Sequence, residues 1–130
     1  ASSYVTLEAT VSKEPLGMAV RHGDDQWYDI VQWTLYALFF AEEKGITQAN
    51  VDRVRTTTKD PETLAFLGTR DALGPKLGLS QSWAYDVVKK VGNYEEIFNR
   101  HLGPGTVFNI TRGLSVPWTK GGLLYAPPFK

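Results

Sequence analysis

Six acidic residues stand in three adjacent pairs, Asp24-Asp25, Glu42-Glu43 and Glu95-Glu96. Two convergent carboxyls can act as general acid and general base. Neighbours on a helix diverge, so these pairs read instead as helix-start charge or solvated charge. His22 and His101 are the two histidines. Either can be combined on paper with Ser12, Ser80, Ser82 or Ser115 and a carboxylate into a nucleophilic triad. No G-x-S-x-G elbow frames any of these serines. His101 closes a helical stretch, where a cation suits the helix dipole. Gly103-Pro104-Gly105 and Gly121-Gly122 lack phosphate-loop spacing and read as turns. Asn109-Ile110-Thr111 fits the three-residue N-glycosylation pattern, which chance produces often. Trp27, Trp33, Trp83 and Trp118 could stack a ligand, but aromatics at helical spacing favour a core. The chain is therefore not expected to be an enzyme. No catalytic, ligand-binding or metal residue is assigned, and no cofactor.

Composition narrows the remaining classes. The 130 residues fit one domain. A chain of this size buries roughly two-thirds of its surface, enough for one core. Hydrophobic content is 42%, charged content 22% and formal net charge zero, which points to a globular chain without a nucleic-acid partner. There is no cysteine, so disulfides and thiolate metal sites are excluded. Ala1–Tyr4 has neither the charge nor the apolar run of a signal peptide. The apolar run Ile30–Ala41 is short of the roughly 20 residues that span a bilayer. It reads as a buried core helix.

The elements that would position these residues can be read in order. Tyr4–Glu8 alternates as a strand does, and Leu16–Val20 reads as a second short strand after the break at Pro15. Asp24 is a plausible N-cap for a helix over Asp25–Lys44, with Gly45 as its stop. That helix is apolar on more than one side, because Trp33, Tyr36, Phe39 and Phe40 broaden the stripe of Trp27, Ile30, Val31, Thr34, Ala37, Leu38 and Ala41. Thr47 is the candidate cap of a short helix that Thr56-Thr57-Thr58 ends. Asp60-Pro61 opens a helix to Leu67, stopped at Gly68. Ser80 or Ser82 caps a helix to Val91, with Trp83, Val87 and Val88 on one side. Asn93 and Glu96 form a capping-box pattern for a helix from Tyr94 to His101 that buries Ile97 and Phe98. Residues 106–130 are irregular yet hold Trp118, Tyr125 and Phe129, which implies an ordered wrapping tail. The expected class is α/β and helix-rich, with two short strands, about five helices and that tail.

Two long blocks carry a resemblance. Lys13 to Phe40, with SKEPLG…AVR-x-GDDQW, and the ending Arg112–Phe129, with GL-S-VPW-x-KGGL-x-YAPP, are similar to the C-terminal part of a general L-amino-acid-binding protein. Such a protein is the periplasmic receptor of a polar amino acid ABC transporter. The resemblance implies a two-lobed binding-protein fold that closes on an L-amino acid and delivers it to a membrane permease. By that likeness, residues 1–22 hold the crossover and lobe-1 strands, 23–46 the core helix of lobe 1, and 47–130 a C-terminal extension. The family's carboxylate-gripping Arg and amino-gripping Asp fall upstream of this chain, so no ligand residue is carried onto it. Arg21 and Arg112 could fork a carboxylate, but neither matches the family's ligand position.

Physical reasoning points the same way. Two strands make a marginal sheet, since three or more are usually needed. The expectation is a fragment of the receptor, covered either by the missing N-terminal part or by a second copy in a homo-oligomer. One rival is a self-contained helical interaction module that dimerises. A weaker one is a small hydrolase, which a deep pocket with two facing acids would support.

Overall fold

The computed structural model describes residues 7, 9, 12 and 16–129. The first helix begins where Asp24 accepts the Trp27 backbone N–H at 3.2 Å, satisfying a donor that the helix leaves open. From there α1 runs over Asp25–Glu43 without glycine or proline. Asn50 and Thr47 close a reciprocal turn, with Thr47 N–H on Asn50 Oδ1 at 2.8 Å and Asn50 N–H on Thr47 Oγ1 at 3.2 Å. The helix α2, Val51–Thr57, starts after that turn. Thr47 thus organises the turn and does not cap the helix. Asp60 caps α3, Pro61–Phe66, by accepting from Thr63 N at 3.1 Å.

A 3-10 turn at Gly74–Leu77 leads to α4, Trp83–Val91. Ser82 stands at the N-cap position, but its hydroxyl donates to Asp86 Oδ2 at 3.0 Å and leaves the backbone uncapped. Gly92 turns the chain at φ +84°, a left-handed value that glycine adopts without cost. The capping box then forms: Asn93 Oδ1 accepts from Glu96 N at 3.0 Å, and Asn93 N donates to Glu96 Oε2 at 2.9 Å. It starts α5, Tyr94–His101. No residue of α5 is fully buried, so Ile97 and Phe98 are half-buried and not core.

The core sits between α1, α3 and α4. Ala37, Phe40 and Ala41 of α1 meet Phe66 and Leu67, then Trp83, Ala84 and Val88. Phe129 from the tail completes an aromatic cluster, 4.9 Å from Phe40, 5.1 Å from Phe66 and 5.4 Å from Trp33 between ring centroids. Edge-to-face pairs at such spacing add stability beyond area burial.

Two expectations are corrected. Leu16–Val20 is not a strand: Leu16 is 96% exposed, and among the described residues these five make no backbone ladder. The apolar pattern is present, but a strand needs a neighbour to pair with. The expected strand at Tyr4–Glu8 lies, apart from Leu7, outside the described residues. Within the tail, Phe129 is buried, whereas Trp118 and Tyr125 are 54% and 58% exposed.

The tail is ordered by its own turns. Leu123 N donates to Leu114 O at 2.9 Å, and Trp118 N to Leu124 O at 2.9 Å. A Cβ on Gly122 would come within 1.9 Å of the Val116 carbonyl oxygen, so this turn closes only on glycine.

Candidate functional site

The side of α1 turned away from the core is the feature with most potential for recognition. Trp27, Val31, Thr34, Leu35 and Leu38 recur there at three- and four-residue steps, with Ile30 at the border, where it also packs against the core. Met18 lies against them from the extended segment. Together they line two adjoining open depressions of about 190 and 150 Å³, which share Met18, Val31 and Leu35. The polar groups at its edge are Gln32 and the Tyr28 hydroxyl, to which Gln32 Nε2 donates at 3.0 Å. Such a trough offers a partner packing area and few directed bonds. It suits the face of another structural element better than a small polar ligand.

At the C-terminal end of α1 the adjacent carboxylates do different work. Glu42 is 4% exposed, not solvated as its sequence neighbours suggested. Arg112 forks onto it, Nη1 to Oε1 at 2.6 Å and Nη2 to Oε2 at 2.8 Å, and Nη2 also donates to Ser115 O at 2.5 Å. The guanidinium lies over the rings of Tyr94 and Phe98, and Glu95 Oε1 stands 3.8 Å from Nη1. Arg112 is thus a carboxylate clamp, as its fork chemistry allows, but its carboxylate is internal. Glu43 accepts the Trp118 indole N–H at 3.0 Å.

The other charged clusters are structural. Lys89 and the Tyr85 hydroxyl both bond Asp52, and Arg55 stacks 4.3 Å from the Tyr85 ring. The Lys89 and Tyr85 bonds hold the Asp52 carboxyl below its usual range, and the same bonds raise Lys89 and Tyr85. The Thr63 hydroxyl bond lowers Asp60. Burial opposes the charge on Lys44, but its bond to Glu62 and the fields of Glu62 and Asp60 outweigh that and raise it.

The residues weighed for catalysis are not brought together. Asp24 is spent as a cap, Glu96 on the capping box and the Gln48 backbone, and Ser82 on Asp86. His101 accepts from its neighbour Arg100 at 3.4 Å, and no described hydrogen bond joins either histidine to a serine. Among the described residues, no group of three or more His, Asp or Glu could hold a metal ion. None of the described helices is long and apolar enough to cross a membrane. Sequence reasoning missed the Glu42–Arg112 pair. One signal was available: residues 97–130 contain no Asp or Glu, so any ion pair of Arg112 must reach upstream.

Comparison with known proteins adds three relationships. The general L-amino acid-binding periplasmic protein AapJ of Rhizobium johnstonii is 54% identical over 129 residues, 98% of this chain. The glutamate/glutamine/aspartate/asparagine-binding protein BztA of Rhodobacter capsulatus is 47% identical over 130 residues, all of this chain. A solved ABC transporter periplasmic binding protein from Brucella ovis, with glutathione bound, is 46% identical and superposes with a TM-score of 0.89 over 95% of this chain. The chain spans about 38% of the length of the curated relatives and 39% of the solved one. No family model matches it.

Proposed function

We propose that this chain, a homologue of the periplasmic amino-acid-binding proteins of ABC transporters, is the C-terminal portion of such a receptor and not an enzyme. The observation that carries this reading is identity of 47–54% along essentially the whole chain, with relatives of which it covers about 38%. In this reading residues 1–22 supply the crossover and lobe-1 strands, 23–46 the lobe-1 core helix, and 47–130 the C-terminal extension. Leu16–Val20 becomes a strand when a neighbouring strand from the rest of the receptor pairs with it. The trough along α1 is then the surface against which the receptor's remaining part packs.

The complete receptor works in the periplasm. Two lobes close on an L-amino acid and present it to the membrane permease. The ligand-gripping groups lie outside this chain, whose described clamp, Arg112, already holds Glu42. The solved relative carries glutathione. Glutathione bears a free α-amino and α-carboxyl pair on its γ-glutamyl residue, as an amino acid does. A small γ-glutamyl peptide is therefore the second solute class to test.

Calorimetry with a panel of L-amino acids and glutathione tests the reading, on this chain and on the full product of its gene. The expected outcome is micromolar binding by the longer protein and none by the 130 residues. Micromolar binding by the 130 residues alone, or a full product no longer than this chain, overturns it.

A further inference from the structure

We infer that residues 97–125 form a strap that opens from the body as a unit, and that Arg112 is its catch. Both ends of the strap are fixed. Upstream, Asn93 Nδ2 donates to the buried Ile46 carbonyl at 2.9 Å, and Glu96 bonds the Gln48 backbone at 3.0 Å. Downstream, Phe129 is packed among Trp33, Phe40 and Phe66. Between these anchors little apolar surface is buried, Pro117 being the one fully buried apolar side chain there among the described residues. No residue of α5 is in the core, Val107 is 96% exposed, and Phe108, Leu114 and Leu123 are exposed as well. Segments with few buried apolar contacts open at lower free energy than the core.

Arg112 is different. Its side chain is nine-tenths buried, and it touches α1 through Glu42, α5 through Tyr94, Phe98 and Glu95, and the tail turn through Ser115. Its Nε is buried with no partner. The strap carries no carboxylate of its own, and its side-chain bonds to the body run from Arg112 to Glu42, from Trp118 to Glu43 and from Arg100 Nη2 to the Val91 carbonyl at 3.0 Å. The Trp118 bond is on the surface, where water competes for it. A bidentate bond inside is the stronger hold.

Native-state hydrogen exchange in low denaturant reads this directly. The reporters are the amides of Leu102, Ile110, Trp118 and Leu123, against Leu67 and Gly92 in the body. In the unaltered chain the four strap amides should share one opening with weaker denaturant dependence than the body amides. Arg112→Lys keeps the charge and loses the fork. It should speed exchange of the strap amides by about 10-fold or more, and of Leu67 and Gly92 to a similar extent, because the global opening that exposes the body includes release of the strap. Val88→Ala, a core change, should speed Leu67 and Gly92 and leave the strap amides within about 2-fold, because the core is intact when only the strap is open. The inference is overturned if strap and body amides follow one global opening in the unaltered chain, if Arg112→Lys speeds neither group, or if Val88→Ala speeds the strap amides as much as the body amides. The unaltered-chain measurement decides even where the variant fails to fold.

Discussion

Along one side of α1, Ala37, Phe40 and Ala41 are closed over by α3, α4 and the end of the tail. Along the other, Val31, Thr34, Leu35 and Leu38 line an open trough with Met18. Both sides are apolar, so composition does not decide which is covered. Position in the chain does. The covered side faces elements that follow α1, whereas among the described residues the open side faces the extended segment before it. A helix apolar all round is normally buried all round. The difference between its sides therefore leaves an apolar surface that the described residues do not cover.

The contrast can be broken most forcefully on the covered side. Phe40→Ala removes a ring that touches Phe66 and Phe129 and should cost about 3–5 kcal/mol. Urea unfolding of the variant checks this, and a loss under about 1 kcal/mol would mean that the aromatic cluster is loose. Next comes Glu42→Ala, which leaves the Arg112 guanidinium buried without its carboxylate. Breaking one half of a buried pair should cost about 3 kcal/mol. If Glu42→Ala/Arg112→Ala is no better than Glu42→Ala alone, the stranded charge is not the cause.

Changes on the open side should be smaller and should depend on context. Leu35→Ser is expected to alter the stability of this chain by less than about 1 kcal/mol, since the side chain is already partly in water. In the full gene product the same change should cost at least about 2 kcal/mol, the scale for a buried leucine. Equal effects in the two proteins would show that the trough stays open in the whole molecule. The smallest effect is electrostatic. Asp60 is held below its ordinary value of 3.8, chiefly by the Thr63 hydroxyl bond. A lowered carboxyl contributes stability that is fully present above the unfolded value and lost as pH falls through the folded one. Asp60→Asn should therefore shallow the loss of stability below about pH 4. An unchanged acid limb would remove Asp60 from the account.

Local chemistry was legible in the sequence because it is short-range. Asp24, Asp60 and the Asn93–Glu96 box each satisfy backbone donors within three residues, and each appears where the pattern places it. Leu16–Val20 had the right residues for a strand, but pairing is a property of two segments, and the pattern of one cannot supply the other. Glu42 looked like surface charge because its partner lies 70 residues away. Trp118 and Tyr125 were expected inside on the strength of ring size alone. Each instead lies half in water, Trp118 with its indole N–H on a carboxylate and its ring largely uncovered. The breadth of the apolar surface of α1 was legible, because it is a count of residues, but that one side stays open depends on neighbours, which the pattern does not supply.

The sequence distance between Glu42 and Arg112 also sets an order of events during synthesis. When Glu42 leaves the ribosome, the residue that neutralises it lies 70 positions behind, and the Trp118 partner of Glu43 lies 75 behind. Until they arrive, the C-terminal turn of α1 carries two hydrated carboxylates and cannot settle into its final packing. The α1–α4 contact can form earlier, because α4 ends before the tail begins. Docking of the tail is then the closing step of the fold. Pulse-labelled refolding should show the Gly92 amide protected before that of Leu123, and simultaneous protection would argue against this sequence.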